Sequence, residues 1–374
     1  MISETIQKYE KVKDAIKKSI ISGKYKNGDL IPSENELVRE FKVSKQTVLK
    51  ALGVLVNEGL VFRRQGKGTF VSEISREVKR RIAVIVFHSD NSYYSKIIKG
   101  VEQVMTDSSF DTILCNSEGN AQRETEHIKR LLDTVDGFIL SPVVRAGEYS
   151  EGVRKILDSC VPLTFLSNIA NENQLNGSAD YVIPDDCVGG FMAGRHLVEC
   201  GYKDFKFLTA GDGLKFDTVR ERLRGFKFAL AQDGVVFDSG MVVESSASDA
   251  HNGYEADGYK AAEKILPEPK KPLGIFAVGD QIGIGLMRGL KEKGIKIPEE
   301  VGICGFDDID LARQWGIELT TIAQKKTESG MKAAEILLRK IKNTSSGPEH
   351  ITMPVELIKR KTTMKLSEIS NIVR

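Results

Sequence analysis

Between Ser44 and Lys50 the chain offers Lys45, Gln46, Thr47 and Lys50, four side chains able to hydrogen-bond a nucleic acid. Gln and Lys can reach base edges in a major groove, and a Thr hydroxyl can hold a phosphate. A second group follows in VFRRQGKGTFV, Val61 to Val71, where Arg63, Arg64 and Lys67 surround Gly66 and Gly68. The cations supply phosphate affinity, while the glycines permit positive φ and close approach of backbone to a phosphate or minor groove. The Gly-Lys-Gly-Thr run is not an NTPase phosphate loop: the glycine four residues before a Gly-Lys-Ser/Thr triplet is missing, and no helix signal follows.

Helices must carry the first group. Ser44 is placed to cap a helix whose buried stripe is Val48, Leu52 and Leu55, which leaves Lys45, Gln46, Thr47 and Lys50 facing out. The preceding helix, about Ser33 to Phe41, shares that apolar face and would cross a nucleic-acid backbone. Such a pair alone serves equally well as scaffold with a solvated face. The basic β-hairpin behind it, turning at Gln65-Gly66-Lys67-Gly68, favours a DNA reader. Val12, Ile16 and Ile20 mark a supporting amphipathic helix over Tyr9–Ser22. The stretch SEISREVKRR, Ser72 to Arg81, has no apolar period and reads as a linker, its Lys79-Arg80-Arg81 run either solvated or touching phosphates.

Charge divides along the same line. Residues 1–81 carry 18 Lys+Arg against 10 Asp+Glu, and the remainder 36 against 42, as expected if the head alone meets nucleic acid. At 41% hydrophobic and 28% charged, 374 residues suffice for two or three folded domains, and disorder as the main state is excluded. Cys115, Cys160, Cys187, Cys200 and Cys304 are scattered and form no C-x-x-C pair, which suits reduced thiols in a cytoplasmic protein and neither a disulfide frame nor a zinc site. No signal-peptide core or apolar run of about 18 residues is present, so a protein neither exported nor membrane-spanning is expected.

Beyond Arg81, apolar runs alternate with amphipathic helices. Strands are expected at Ile82–Phe87, Thr112–Cys115, Gly137–Leu140, Leu163–Leu166 and Tyr181–Ile183, with helices near 93–109, 121–134 and 149–159. A second series has strands near Phe205–Ala210, Met241–Glu244, Ile275–Val278 and Val301–Cys304, and helices near 187–200, 217–233, 253–266 and 280–293. The alternation predicts two doubly wound parallel sheets, hence two lobes with a ligand cleft at the carboxyl ends of their strands. An enzyme is disfavoured: no dinucleotide fingerprint follows the first strand, and no nucleophile elbow, metal pair or nucleophile–base pairing appears. His88, His127, His196, His251 and His350 show no ligand spacing and read as structural. An exported sugar-carrier protein would share the body but has no use for a basic head.

Ile31-Pro32-Ser33-Glu34-Asn35-Glu36-Leu37, Phe41 through Val48, and Gly59-Leu60 through Gly66-Lys67-Gly68-Thr69-Phe70-Val71 resemble the GntR family of winged helix-turn-helix repressors. The resemblance implies DNA contacts at Ser33, Glu34, Ser44, Lys45, Gln46, Thr47, Lys50, Gly66, Gly68 and Thr69, to which charge adds Arg64. That family usually has Arg after the capping Ser; Lys45 lacks Arg's planar two-pronged contact with guanine, so base preference there should differ.

The body resembles the regulatory core of LacI/GalR repressors, itself similar to periplasmic sugar-binding proteins. The residues that carry this include Tyr93 through Glu102, Asp136-Gly137-Phe138-Ile139-Leu140, Asp185 through Gly190, Arg222-Leu223-Arg224-Gly225-Phe226, Phe276 through Asp280, Gly305-Phe306-Asp307-Asp308 and Leu319-Thr320-Thr321-Ile322. The fold expected is therefore a winged helix-turn-helix (α+β) head on residues 1–72, a linker at 73–81, and an α/β two-lobed periplasmic-binding-protein-like domain on 82–374. The resemblance also implies three chain crossings between lobes, near 185, near 320 and once more after it. No hinge-helix signature marks the linker, so coupling through a helix inserted in the minor groove is not expected.

For a sugar, family position points to Arg222 and Asp280, though Arg222 could be a surface ion pair and Asp280 a helix cap. Tyr93 and Glu118 follow the first two strands and Gln324 a crossover strand. Trp315, the sole tryptophan, could stack on a sugar ring, pack in a core or sit at a dimer interface. A GntR-type head on a LacI-type body resembles the arabinose repressors of Gram-positive bacteria. That implies a homodimeric repressor of carbohydrate-utilisation genes without cofactor, released from double-stranded operator DNA by L-arabinose, the alternative being another sugar or a corepressor.

Overall fold

The head is built on one apolar seam. In the computed structural model, which describes every residue except 1, 22, 58, 65, 73–79, 146, 160, 171–178, 212, 246–252, 266–271, 343, 345–346 and 368–374, helices α1 (Ile2–Ile21), α2 (Glu34–Phe41) and α3 (Lys45–Asn57) precede a hairpin of β1 (Val61–Arg64) and β2 (Gly68–Val71). Val12, Ile16 and Ile20 of α1 close on Leu37, Val48, Leu52 and Leu55, all buried, so the expected stripe is the core of the head. Ser33 caps α2 through a reciprocal box, its hydroxyl accepting from Glu36 N–H while Glu36 accepts from Ser33 N–H at 2.7 Å. The supporting helix starts well before Tyr9. Most of the linker, with Lys79, and also Ser22, Gln65, Cys160 and His251, lies outside the described residues.

In the body, β3 (Arg81–Val86), α4 (Ser92–Asp107), β4 (Asp111–Asn116), α5 (Ala121–Leu131), β5 (Gly137–Leu140), a small hairpin of β6 (Val144–Arg145) and β7 (Glu148–Tyr149), α6 (Glu151–Leu157), β8 (Leu163–Leu166) and β9 (Asp180–Pro184) make the first lobe. The second has α7 (Asp186–Glu199), β10 (Asp204–Thr209), α8 (Asp217–Gln232), β11 (Val242–Glu244), α9 (Gly253–Ala261), β12 (Leu273–Ala277), α10 (Asp280–Glu292), β13 (Val301–Asp307) and β14 (Thr320–Gln324). The chain then returns to the first lobe through α11 (Lys326–Ile341) and β15 (His350–Met353), and ends in the second with β16 (Val355–Ile358). Strand order is β15-β9-β8-β5-β3-β4 in one sheet and β11-β10-β12-β13-β14-β16 in the other. Both are parallel except for the antiparallel edge strand β16. Central strands such as Phe138–Leu140 and Ile303–Phe306 are buried on both faces, as a sheet covered by helices requires.

The chain therefore crosses between lobes at Asp185, at Lys325 and at Pro354. Elements beyond Gln324 had no apolar alternation strong enough to mark them individually. The helix expected over 253–266 stops at Ala261, and that over 121–134 at Leu131. No described helix is long and apolar enough to cross a membrane.

Candidate DNA face and interlobe cleft

Capping geometry sets the first turn of α3. Ser44 Oγ accepts from Thr47 N–H at 3.2 Å and lies 2.8 Å from Thr47 Oγ1. Thr47 is consequently folded back and 7% exposed, not facing out as expected: its hydroxyl completes the cap instead of reaching a phosphate. Lys45, Gln46 and Lys50 do remain exposed, the Lys50 ammonium 4.2 Å from the Tyr9 ring centroid. On the hairpin, Gly66 and Gly68 adopt φ of 74° and 115°, and a Cβ on Gly68 would sit 2.6 Å from Leu30 Cδ1. Arg64 lies over the stacked rings of Phe62 and Phe70. Thr69, expected at the DNA, is 8% exposed because alternate residues of β2 face the head core. Glu34 joins the two parts: its carboxylate is 3.5 Å from Lys45 Nζ and 3.8 Å from Arg63 Nη2. Recognition helix, wing and capped Ser33 thus present one basic surface.

In the body, polar residues gather where strands end. Tyr93, one residue into α4, donates its hydroxyl to Gln324 Oε1 at 3.1 Å, with Ser167 Oγ 3.0 Å from the same phenol oxygen. Gln324, at the end of β14, is already in the second lobe, and its Nε2 donates there to Asp307 Oδ1 at 2.7 Å. There Arg222 donates from Nε to Asp186 at 2.7 Å and from Nη1 to Val278 O at 2.6 Å, with its guanidinium 3.6 Å from the Phe306 ring centroid and Nη1 3.9 Å from Asp307. Two glycines permit this: a Cβ on Gly190 would fall 2.0 Å from Arg222 O, and one on Gly225 1.9 Å from Cys187 O. Helices α7 and α8 therefore touch backbone to backbone, which sets Asp186 beside Arg222.

Burial dominates the electrostatics of this cluster. It pushes the Asp186 carboxyl up to about 6 against the pull of Arg222, and it raises Asp307 and, far more, the Tyr93 phenol. Lys326 at the second crossing donates to the Asp307 and Asp308 carbonyls, while Lys96 of α4 pairs with Asp310 across the lobes. Gln324 and Tyr93 are thus brought together with Arg222, as expected.

Asp280 is fully buried behind this cluster, accepting from Thr321 Oγ1 at 2.5 Å and Ile309 N–H at 2.8 Å and tying β14 and the loop after β13 to the start of α10; burial, and then the charge of Asp307, push its carboxyl well up. Two expected residues lie apart from the cluster. Glu118 stands on an exposed turn with φ 52° beside edge strand β4 and pairs with Arg123. Trp315 is 92% exposed, next to Gly316, whose carbonyl accepts from Lys291 in the last turn of α10, the end remote from the cleft. Sequence reading missed Ser167, Asp186, Asp307 and Tyr254. Tyr254 is 45% exposed as a residue, and burial, then Asp257 and Asp307, raise its phenol. Strand-terminal position was the available signal for the first three.

His196, buried and 2.8 Å from Thr363 Oγ1, is structural, its imidazole pushed down to about 4 by burial. Cys115, Cys187, Cys200 and Cys304 are thiols in no disulfide. Among the described residues no three His, Cys, Asp or Glu side chains are grouped to hold a metal ion.

Residues 8–71 match the model of bacterial regulatory proteins of the gntR family, and residues 195–363 that of a periplasmic binding protein-like domain. The arabinose metabolism transcriptional repressor of Geobacillus stearothermophilus is 29% identical over 375 residues, 98% of this chain and 100% of its own length. The HTH-type transcriptional repressor PurR of Vibrio atlanticus is 30% identical over 302 residues, 79% of this chain and 86% of that protein. Among solved structures, a LacI family transcriptional regulator from Enterococcus faecalis with bound ribose superposes at a TM-score of 0.64 and 31% identity, over 76% of this chain and 99% of that one.

Proposed function

The chain belongs to the LacI family of transcriptional regulators and carries a gntR-type head, a transcriptional repressor and not an enzyme, and we propose that it is a cytoplasmic homodimer released from a palindromic operator by L-arabinose. The observation that carries the reading is the chain of bonds Tyr93–Gln324–Asp307, which spans the two lobes at the carboxyl ends of their strands. A neutral sugar entering there exchanges hydroxyls for these partners: Asp186 and Asp307 accept, Arg222 and Gln324 donate, and Tyr254 offers an apolar face.

On the DNA side the proposed contacts are Ser33, Ser44, Lys45, Gln46, Lys50, Arg64, Gly66 and Gly68, within a head ending at residue 72, with the body starting at 82. Trp315, 92% exposed, is assigned to the dimer interface and not to the sugar. The repression mechanism is a coupling free energy: sugar binds better to the interlobe angle at which the paired heads miss their half-sites, and operator weakens sugar by the same factor. Support for arabinose is the full-length likeness to the Geobacillus repressor; ribose, bound to the Enterococcus relative, is the second reading.

The test starts with an operator selected from randomised duplex DNA. L-arabinose, ribose and a glucose control are then titrated calorimetrically with and without that duplex. Equal sugar affinity in both states would sink the mechanism, and binding of ribose alone would replace the ligand.

A further inference from the structure

Glu34 sits where the dipole of α2 favours an acid, and it does so in the middle of a face that otherwise offers cations. It opens α2 directly after the capping Ser33, and its two carboxylate oxygens are divided between elements, one 3.5 Å from Lys45 Nζ on the recognition helix and the other 3.8 Å from Arg63 Nη2 on the wing. Glu36, the other acid of that turn, is folded back on the Ser33 backbone and serves the cap. All three partners are open to solvent, with side-chain exposures of 31% for Glu34, 62% for Lys45 and 44% for Arg63. A carboxylate on a surface meant for a polyanion weakens every phosphate contact around it. Helix stability accounts for an acid here, and its reach to both Lys45 and Arg63 gives it a second effect, on selectivity.

We propose that Glu34 is a positioning residue that sets sequence discrimination by holding Lys45 and Arg63 away from indiscriminate phosphate contact and fixing recognition helix to wing. This rests on the DNA-face reading above. The reasoning turns on Lys45. A lysine ammonium is a point charge on four flexible carbons, without the planar fork that aims an arginine at a guanine edge. The Glu34 carboxylate supplies direction from outside, narrowing the arc that Lys45 sweeps before DNA arrives. It also taxes the two binding modes unequally. Non-specific binding uses whatever cations reach phosphates, so neutralising two of them lowers it; in the specific complex Lys45 is aimed at a base edge and loses little.

The experiment uses the full-length chain, fluorescence anisotropy with a duplex of scrambled sequence at several salt concentrations, and selection from a randomised duplex pool. Glu34→Gln keeps shape and removes charge. It should bind the scrambled duplex roughly three- to tenfold more tightly, steepen the slope of log K against log salt by about 0.9 for each cation set free, and select a less defined sequence. Glu34→Asp keeps charge but shortens the reach, and should lose selectivity with little change in slope. Lys45→Ala and Arg63→Ala separate the two layers. If both leave duplex affinity unchanged, the DNA face itself is misplaced. If both weaken binding while Glu34→Gln leaves the scrambled affinity and slope as they were, or lowers specific binding alone as loss of a cytosine N4 acceptor would, the positioning role is overturned and the face stands.

Discussion

Asp186→Asn should stabilise the body at neutral pH and lose that advantage in acid. Asp186 and Arg222 are almost fully enclosed, with side-chain exposures of 9% and 12%, and burial holds the Asp186 carboxyl at about 6 instead of 3.8 even with the guanidinium 2.7 Å away. The folded-state value lies above the unfolded one, so the folded protein keeps this proton longer. The carboxyl is thus nearly neutral in its effect below about pH 4, grows destabilising as pH rises through the interval, and reaches its full cost of about 3 kcal/mol above pH about 6. Asparagine cannot ionise but still offers an oxygen to Arg222 Nε. The variant's advantage over the parent should therefore grow by about 2 kcal/mol between pH about 4.5 and about 7.5, read from urea-unfolding midpoints by circular dichroism. Removing the other partner has the opposite sign: Arg222→Met strands Asp186 and Asp307 in the interior, at a cost of about 3–5 kcal/mol. A difference between Asp186→Asn and parent that is flat with pH, or that falls as pH rises, would refute the claim that burial outweighs the ion pair here.

Tyr93→Phe removes the hydroxyl that meets Ser167 and Gln324 and should weaken sugar binding by about 1–2 kcal/mol in calorimetry and, since the same hydroxyl joins the lobes without ligand, lower the melting temperature as well. Lys50→Ala should lower the salt slope of operator binding by about 0.9, and Gln46→Ala should relax base preference with the slope intact. Trp315, the single tryptophan, should blue-shift in emission as protein concentration is raised through the dimer transition, and Trp315→Asp should sediment as a monomer with unchanged circular dichroism. A Trp315→Asp protein that still sediments as a dimer would remove that residue from the interface.

What could be read from sequence was what is local. Ser44, Val48, Leu52 and Leu55 lie within three helical turns, so their period and cap were visible and the structure places them as read. Thr47 was misjudged because a helical wheel ignores the special first turn, where a hydroxyl can turn back on its own cap. In the body, strands, helices and the place of the cleft followed from hydrophobic alternation, but the pairs of side chains that meet there did not. Tyr93 and Gln324 are 231 residues apart and Arg222 and Asp186 36 apart, and strand order and the close approach of α7 and α8 at Gly190 and Gly225 bring such pairs together. Asp280 shows the converse hazard: a motif position names a residue without saying which way its side chain is turned, and here both oxygens are spent inside the lobe.

The three crossings at Asp185, Lys325 and Pro354 connect the lobes at one edge, and Lys96 and Asp310 pair across the lobes close to the second of them. Three tethers in a row behave as the leaf of a door hinge: they resist sliding and twisting and leave opening as the soft motion. Any ligand that draws the lobes together then produces the same rotation, whatever its own outline. Cleft residues can accordingly change to suit a new sugar without the message to the heads being rewritten, and a head can be exchanged without the cleft being rebuilt.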